Sequence, residues 1–116
     1  MNWFLLLEGK RTEPKIYQKW IEQSFPQLTR FYKIDDIISD CFYIRSANGY
    51  PKILQLIESA LIDINYHYIK NNILIEHFFI CLDSEEDSYQ TRFQIIETEL
   101  EICHNKTEIQ ASFQTL

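Results

Sequence analysis

Acids dominate the residues of this 116-residue chain that could do chemistry, and two groups of them follow apolar runs. Glu8 comes directly after Trp3-Phe4-Leu5-Leu6-Leu7, and Asp83, Glu85 and Asp87 come directly after the run from His77 to Leu82. Carboxylates gathered at one place repel each other unless a cation joins them. Oxygen ligands with no Cys or His among them suit Mg²⁺ or Mn²⁺. Such a metal neutralises charge developing on a phosphate and lowers the pKa of an attacking water, which is the chemistry of phosphoryl transfer and phosphodiester hydrolysis. Lys10 and Arg11, two and three residues past Glu8, are placed to meet a phosphate. Lys15 and Lys19 extend that positive side, and Arg45 and Lys52 flank a later loop.

The charge balance needs the same local reading. The chain has 11 Lys+Arg against 17 Asp+Glu, a formal charge of −6. Between Asp83 and Glu101 lie seven acids and one base, so that segment alone carries −6 and the rest is balanced. An acidic protein is not ordinarily a nucleic-acid binder, because phosphate contacts come from basic surfaces. Here the acidity has one source. Glu97, Glu99 and Glu101 read as a solvated helix face, which leaves the Asp83–Asp87 cluster as the part with chemical potential.

The elements that must position these residues are legible from periodicity. Trp3–Leu7 is a buried strand, a continuous apolar run bounded by charge. A loop, Glu8 to Pro14, leads into a helix that Thr12 or Glu13 can cap, with Pro14 suited to a first turn. Ile16, Tyr17, Trp20 and Ile21 form its apolar face, and Pro26 marks its end. Residues 31–40 show no clean period. Cys41–Ile44 is a second strand and Ser46–Gly49 a turn. After Pro51, a helix shows a sustained 3.6-residue period through Ile53, Ile57, Ala60 or Leu61, Ile64 and Tyr68. Asn71-Asn72 stops it. His77–Leu82 is a third strand. Asp87 or Ser88 caps a third helix with a core face of Phe93, Ile96, Leu100 and Cys103, and Ile109–Phe113 alternates as a fourth strand. Trp20, Tyr66, Tyr68 and Phe93 are expected in the core.

Strands alternating with helices imply an α/β fold: a mostly parallel, Rossmann-like, four-stranded sheet with helices on both faces. In such sheets ligands bind at the carboxyl ends of the strands. Right-handed crossovers keep those ends on one edge. Glu8 and the Asp83–Asp87 acids can therefore converge. Composition (46% hydrophobic, 15% aromatic, two glycines) excludes disorder and collagen and fits one domain over residues 1–116. No apolar run approaches the roughly 20 residues of a membrane span, and the N-terminus lacks a signal peptide's basic region, so a cytoplasmic protein without membrane association is expected. Cys41, Cys81 and Cys103 form no CxxC and read as buried free thiols, and His67, His77 and His104 form no ligand pair.

Glu8-Gly9-Lys10-Arg11-Thr12-Glu13 after a hydrophobic strand resembles the first motif of the Toprim domain, in the E-G-x-x-[TS]-E form of OLD-family and RloB-like nucleases. Leu82-Asp83-Ser84-Glu85 resembles the second motif, D-x-D or D-x-E after a hydrophobic strand. Asn48-Gly49 lies near the glycine that many Toprim domains carry after strand two. The resemblance covers nearly the whole chain. It implies a Toprim-like fold and a Mg²⁺-dependent nuclease acting on DNA or RNA in antiviral defence. Glu8 would be a metal ligand or the general acid/base, Asp83 and Glu85 would bind the metal, and Lys10, Arg11, Lys15 and Arg45 would bind phosphate. Gly9 and Glu13 would support the loop. The departure is Glu85 where many Toprim domains have Asp, and Asp87 is the alternative ligand.

Other readings compete. The acids can be a strand's polar end and a solvated loop. A receiver-like phosphoacceptor domain shares the acid cluster, but Glu8-Gly9 matches its acidic pair poorly. A P-loop and a Rossmann glycine loop are excluded, for want of GxxxxGK[ST] and because Gly9 and Gly49 alone cannot make the glycine loop. Toprim nucleases of this kind usually continue further or work with an ATPase or another partner. A truncated, non-catalytic or partner-dependent binding subunit is therefore the second expectation, with self-association through an exposed strand edge as a corollary.

Overall fold

The computed structural model describes residues 1–9, 13–49, 52–81, 94, 95, 97–99 and 101. Its elements run β1 (Asn2–Leu7), α1 (Glu13–Ser24), β2 (Thr29–Phe31), a 3-10 turn (Ile34–Asp36), β3 (Cys41–Ser46), α2 (Lys52–Asn71) and β4 (His77–Cys81). The four strands form one sheet in the order β2-β3-β1-β4, and every pairing is parallel. Leu7 lies opposite Ser46 on one side and Cys81 on the other, so the carboxyl ends of β3, β1 and β4 finish level.

Alternation along the strands builds two cores. Phe4, Leu6, Phe78 and Ile80 point to one face, where Ile53, Ile57, Ala60, Leu61 and Ile64 of α2 cover them. Trp3, Leu5, Leu7, Phe42, Ile44 and Cys81 point to the other, where Ile21 and Tyr17 of α1 cover them. Each fully buried side chain of this size contributes roughly 1.5–3 kcal/mol, so β1, buried along its whole length, is the structural axis. T-shaped contacts join Phe4 to Phe78 and Tyr43, and Trp3 to Phe25 and Phe79.

The α/β class and the parallel sheet with helices on both faces agree with expectation. The strand list does not. Thr29–Phe31, inside and just before the unperiodic stretch, pairs with β3 as an edge strand. Three residues are too few for a period-2 signal to emerge. The expected fourth strand, Ile109–Phe113, lies outside the described residues, as do Phe93, Ile96, Leu100 and Cys103. The apolar face of α1 also needs correction. Ile21 is buried and Tyr17 packs against the core, but Ile16 and Trp20 are exposed. Tyr17 and Ile21, one helical turn apart, form the narrow stripe that meets the sheet, and Ile16 and Trp20 lie beside it. On α2 the buried set runs on to His67, with Tyr68 half-buried and Tyr66 exposed. Cys41 and Cys81 are buried free thiols, as expected. Of the third helix, Glu97 and Glu101 are exposed and Glu99 is half-buried. Among the described residues, no helix is long and apolar enough to cross a membrane.

Candidate functional site

The two helices leave their strands toward opposite faces. α1 follows β1 onto one face and α2 follows β3 onto the other, while β1 and β3 are neighbours. In open α/β sheets ligands bind at the carboxyl ends of the strands, where neighbouring strands send their connections to opposite faces. Glu8 stands at that edge, immediately after β1.

The backbone of Glu8 is fixed from both sides. Its N–H donates to the Cys81 carbonyl at 3.1 Å, and its carbonyl accepts from the Gly49 N–H at 2.9 Å. The Ala47 N–H bonds the Leu7 carbonyl at 2.7 Å, and the Gly49 carbonyl accepts from the Ile53 N–H at 3.2 Å, in the first turn of α2. One residue therefore joins the ends of β4 and β3 and the start of α2. Gly49 makes this possible with φ +90°, a conformation L side chains rarely adopt. Glu8 is only 3% exposed. Carboxylates are seldom buried unless paired, hydrogen-bonded or metal-bound, so Glu8 is not a solvated strand end.

Lys15, in the first turn of α1, and Lys19, one turn on, are exposed cations on the helix that starts from this edge, and Lys52 opens α2 in the same way. Both helices begin at the carboxyl edge, so both direct backbone N–H groups toward it. Arg45 is engaged elsewhere. Its guanidinium donates to Asp63 Oδ2 at 2.7 Å, to Tyr43 Oη at 3.3 Å and to Ser59 Oγ at 3.4 Å, and lies over the Phe4 ring. Burial works against its charge, but the bonds to Tyr43 and Asp63 outweigh burial and raise its pKa. These partners bind Arg45 to the α2 face.

Lys10, Arg11, Asp83, Glu85 and Asp87 lie outside the described residues, and so does the side chain of Glu13, whose backbone opens α1. Gly9 is half-buried beside Glu8. Among the described residues, no three His, Cys, Asp or Glu stand close enough together to hold a metal. The fit to a divalent cation can be judged on donor chemistry. Glu8 and the acids that follow β4 offer carboxylate oxygens and no imidazole, a hard donor set that suits Mg²⁺ or Mn²⁺.

The residue pattern did not single out three polar features. Asn2 is buried at the amino end of β1, where its amide bonds the Leu74 carbonyl at 3.0 Å and accepts from the Cys41 thiol at 3.3 Å. Glu76 Oε2 accepts from the Asn2 N–H at 2.7 Å. His67, buried in α2, faces Asn71 through Nδ1 at 3.3 Å and has Asp35 3.7 Å from Nε2. All depend on contacts between residues far apart in sequence or on helical i, i+4 pairing within an otherwise apolar face. Comparison with family models, curated proteins and solved structures returned no match, so the site is read from its own residues.

Proposed function

We propose that the chain is a Toprim-like nuclease that hydrolyses DNA or RNA phosphodiesters with Mg²⁺ or Mn²⁺, in defence against phage or other foreign nucleic acid. The observation that carries this reading is the bond from the Glu8 N–H to the Cys81 carbonyl. It ties the end of β1 to the end of β4, and Asp83 is two residues beyond Cys81 in the chain. The two motifs of the resemblance thus leave adjacent parallel strands at the same edge. Glu8, Asp83 and Glu85 would hold the cation, with Asp87 as the substitute for Glu85. When bound, the cation would supply charge neutralisation on the phosphate and a water of lowered pKa. Lys10, Arg11 and Lys15 would bind backbone phosphates, and the start of α1 would present N–H groups to them. Glu8, clamped at both its N–H and its carbonyl, is suited to orienting that water or taking its proton, because its backbone has little freedom to move.

The test is a cleavage assay of the purified chain with plasmid, single-stranded DNA and RNA, with Mg²⁺ or Mn²⁺ and with EDTA. Cleavage should require the metal. Glu8→Gln and Asp83→Asn should each lower it by a factor on the order of 100 to 10,000, with the circular dichroism spectrum unchanged. Metal-dependent cleavage that survives both substitutions would falsify the assignment.

A further inference from the structure

Trp20 is 50% exposed on α1. It lines an apolar pocket of about 280 Å³ together with Trp3, Leu5, Phe25 and Phe79. All of these but Leu5 are aromatic. Trp3 meets Phe25 and Phe79 edge to face, with ring centroids 4.8 and 5.1 Å apart, and Trp20 meets Phe25 in the same way at 6.4 Å. Trp3 is only 6% exposed, yet its buried indole N–H has no hydrogen-bond partner among the described residues. A buried donor left unpaired costs stability that an acceptor on a bound molecule can restore.

The same helix sets two cations beside this aromatic wall. Lys15 and Lys19 are exposed and lie four residues apart, on one stripe of α1. Among the described residues neither side chain has an ion-pair or hydrogen-bond partner. Ile16 and Trp20, each the next residue along, form the neighbouring exposed stripe. Glu22 is held to Gln18, whose Nε2 donates to it at 2.8 Å. Free cations beside an aromatic slot match a phosphate backbone with a planar base attached. In a duplex the bases are paired and stacked on each other, so a base that stacks on a protein ring comes from a single strand. We propose that α1 carries a single-stranded nucleic acid, with Lys15 and Lys19 on its phosphates and one base in the pocket against Trp20. The inference rests on the proposed nuclease reading for its ligand class and names that substrate as single-stranded. α1 begins at the carboxyl edge, and Trp20 lies seven residues past Glu13, about 10 Å along the axis. The strand would therefore pass from the edge that holds Glu8, over the two lysines, to the pocket.

The experiment is a binding titration of the full chain in EDTA, read by tryptophan fluorescence and by anisotropy of labelled probes. The probes are oligothymidylate, oligouridylate, a duplex of the same length, and an abasic strand that keeps the phosphates. The single strands should bind at least about tenfold tighter than the duplex and the abasic strand, because base–aromatic stacking is lost in both. Trp20→Ala should weaken single-strand binding about tenfold and leave abasic binding unchanged, whereas Trp20→Phe should retain most of the affinity. Lys15→Ala/Lys19→Ala should weaken every probe and reduce the slope of log affinity against log salt by about 1.4 for the single strands. Equal binding of duplex and single strand, equal binding of the abasic strand, or no binding of any probe overturns the proposal, and none of these comparisons requires a variant to fold. Single-strand binding indifferent to Trp20→Ala overturns it as well. Binding in EDTA is independent of cleavage. Trp20-dependent binding without metal-dependent cleavage would defeat the nuclease reading alone, and metal-dependent cleavage without single-strand preference would defeat this inference alone.

Discussion

Arg45 shows how residue type and residue role come apart. A basic residue near the carboxyl end of a strand suggests phosphate, yet three of its N–H donors go to Asp63, Ser59 and Tyr43. The two readings predict different outcomes. If Arg45 serves α2 packing, Arg45→Ala should lower unfolding free energy by about 1–2 kcal/mol. That is less than a fully buried pair would cost, because Asp63 remains partly solvated. Lys15→Ala, at an exposed position, should leave stability unchanged and weaken nucleic-acid binding instead. Urea unfolding and a binding titration on both variants separate the roles. A stable Arg45→Ala protein with weakened binding would restore the phosphate assignment. Glu8 is the converse case. Its position was legible as the charged residue that ends an apolar run, but its burial and its double backbone clamp were not, since both are made by residues about 40 and 70 positions away.

At the scale of elements, legibility followed the length and burial of each segment. β1, β3, β4 and α2 bury long apolar sets, so their periods stand out in the sequence. β2 is three residues on an edge, with a pattern too short to read. α1 has apolar residues on more than one side, so the periodicity could not say that Ile21 would turn inward while Ile16 and Trp20 would not. The turn after β3 was visible as Ser-Ala-Asn-Gly, but its task was not. Gly49 takes φ +90° and its N–H holds Glu8. A Cβ placed there meets nothing within 4 Å, so the cost of Gly49→Ala is conformational and not steric. That substitution should destabilise the fold by about 1–2 kcal/mol. Asn, which tolerates positive φ better than other residues, should recover part of the loss. Thermal unfolding of the two variants checks the order, and an Ala variant as stable as the parent would mean that this turn relaxes without strain.

Across the whole molecule the two edges of the sheet differ in character. The carboxyl edge gathers the buried Glu8 and the helix starts, whereas the amino edge is knit together by Asn2, Asp40, Cys41, Glu76 and the Met1 amine. The knitted edge makes stability depend on alkaline pH. The Met1 amine bonds Asp40 Oδ1 at 2.8 Å, and this bond raises its pKa above the ordinary 8.0. Burial raises the Cys41 thiol above the ordinary 9.0, because desolvation disfavours the thiolate. Both groups hold their protons more tightly in the folded chain than in the unfolded one. As pH rises past 8.0 and then 9.0 the unfolded chain releases these protons first, so the equilibrium moves toward unfolding. The stability these groups contribute is thus complete below their unfolded values and is lost as pH climbs through the raised folded ones. The amine is solvent-exposed and its share is screened, which leaves the thiol as the larger contributor. The urea midpoint should therefore hold steady from about pH 6 to about pH 8 and fall above that. Cys41→Ala will lower the midpoint at every pH through lost packing, but it should also flatten the decline above about pH 9, because the group that titrates there is gone. Parallel midpoint curves for parent and variant across the alkaline range would show that the thiol does not drive it.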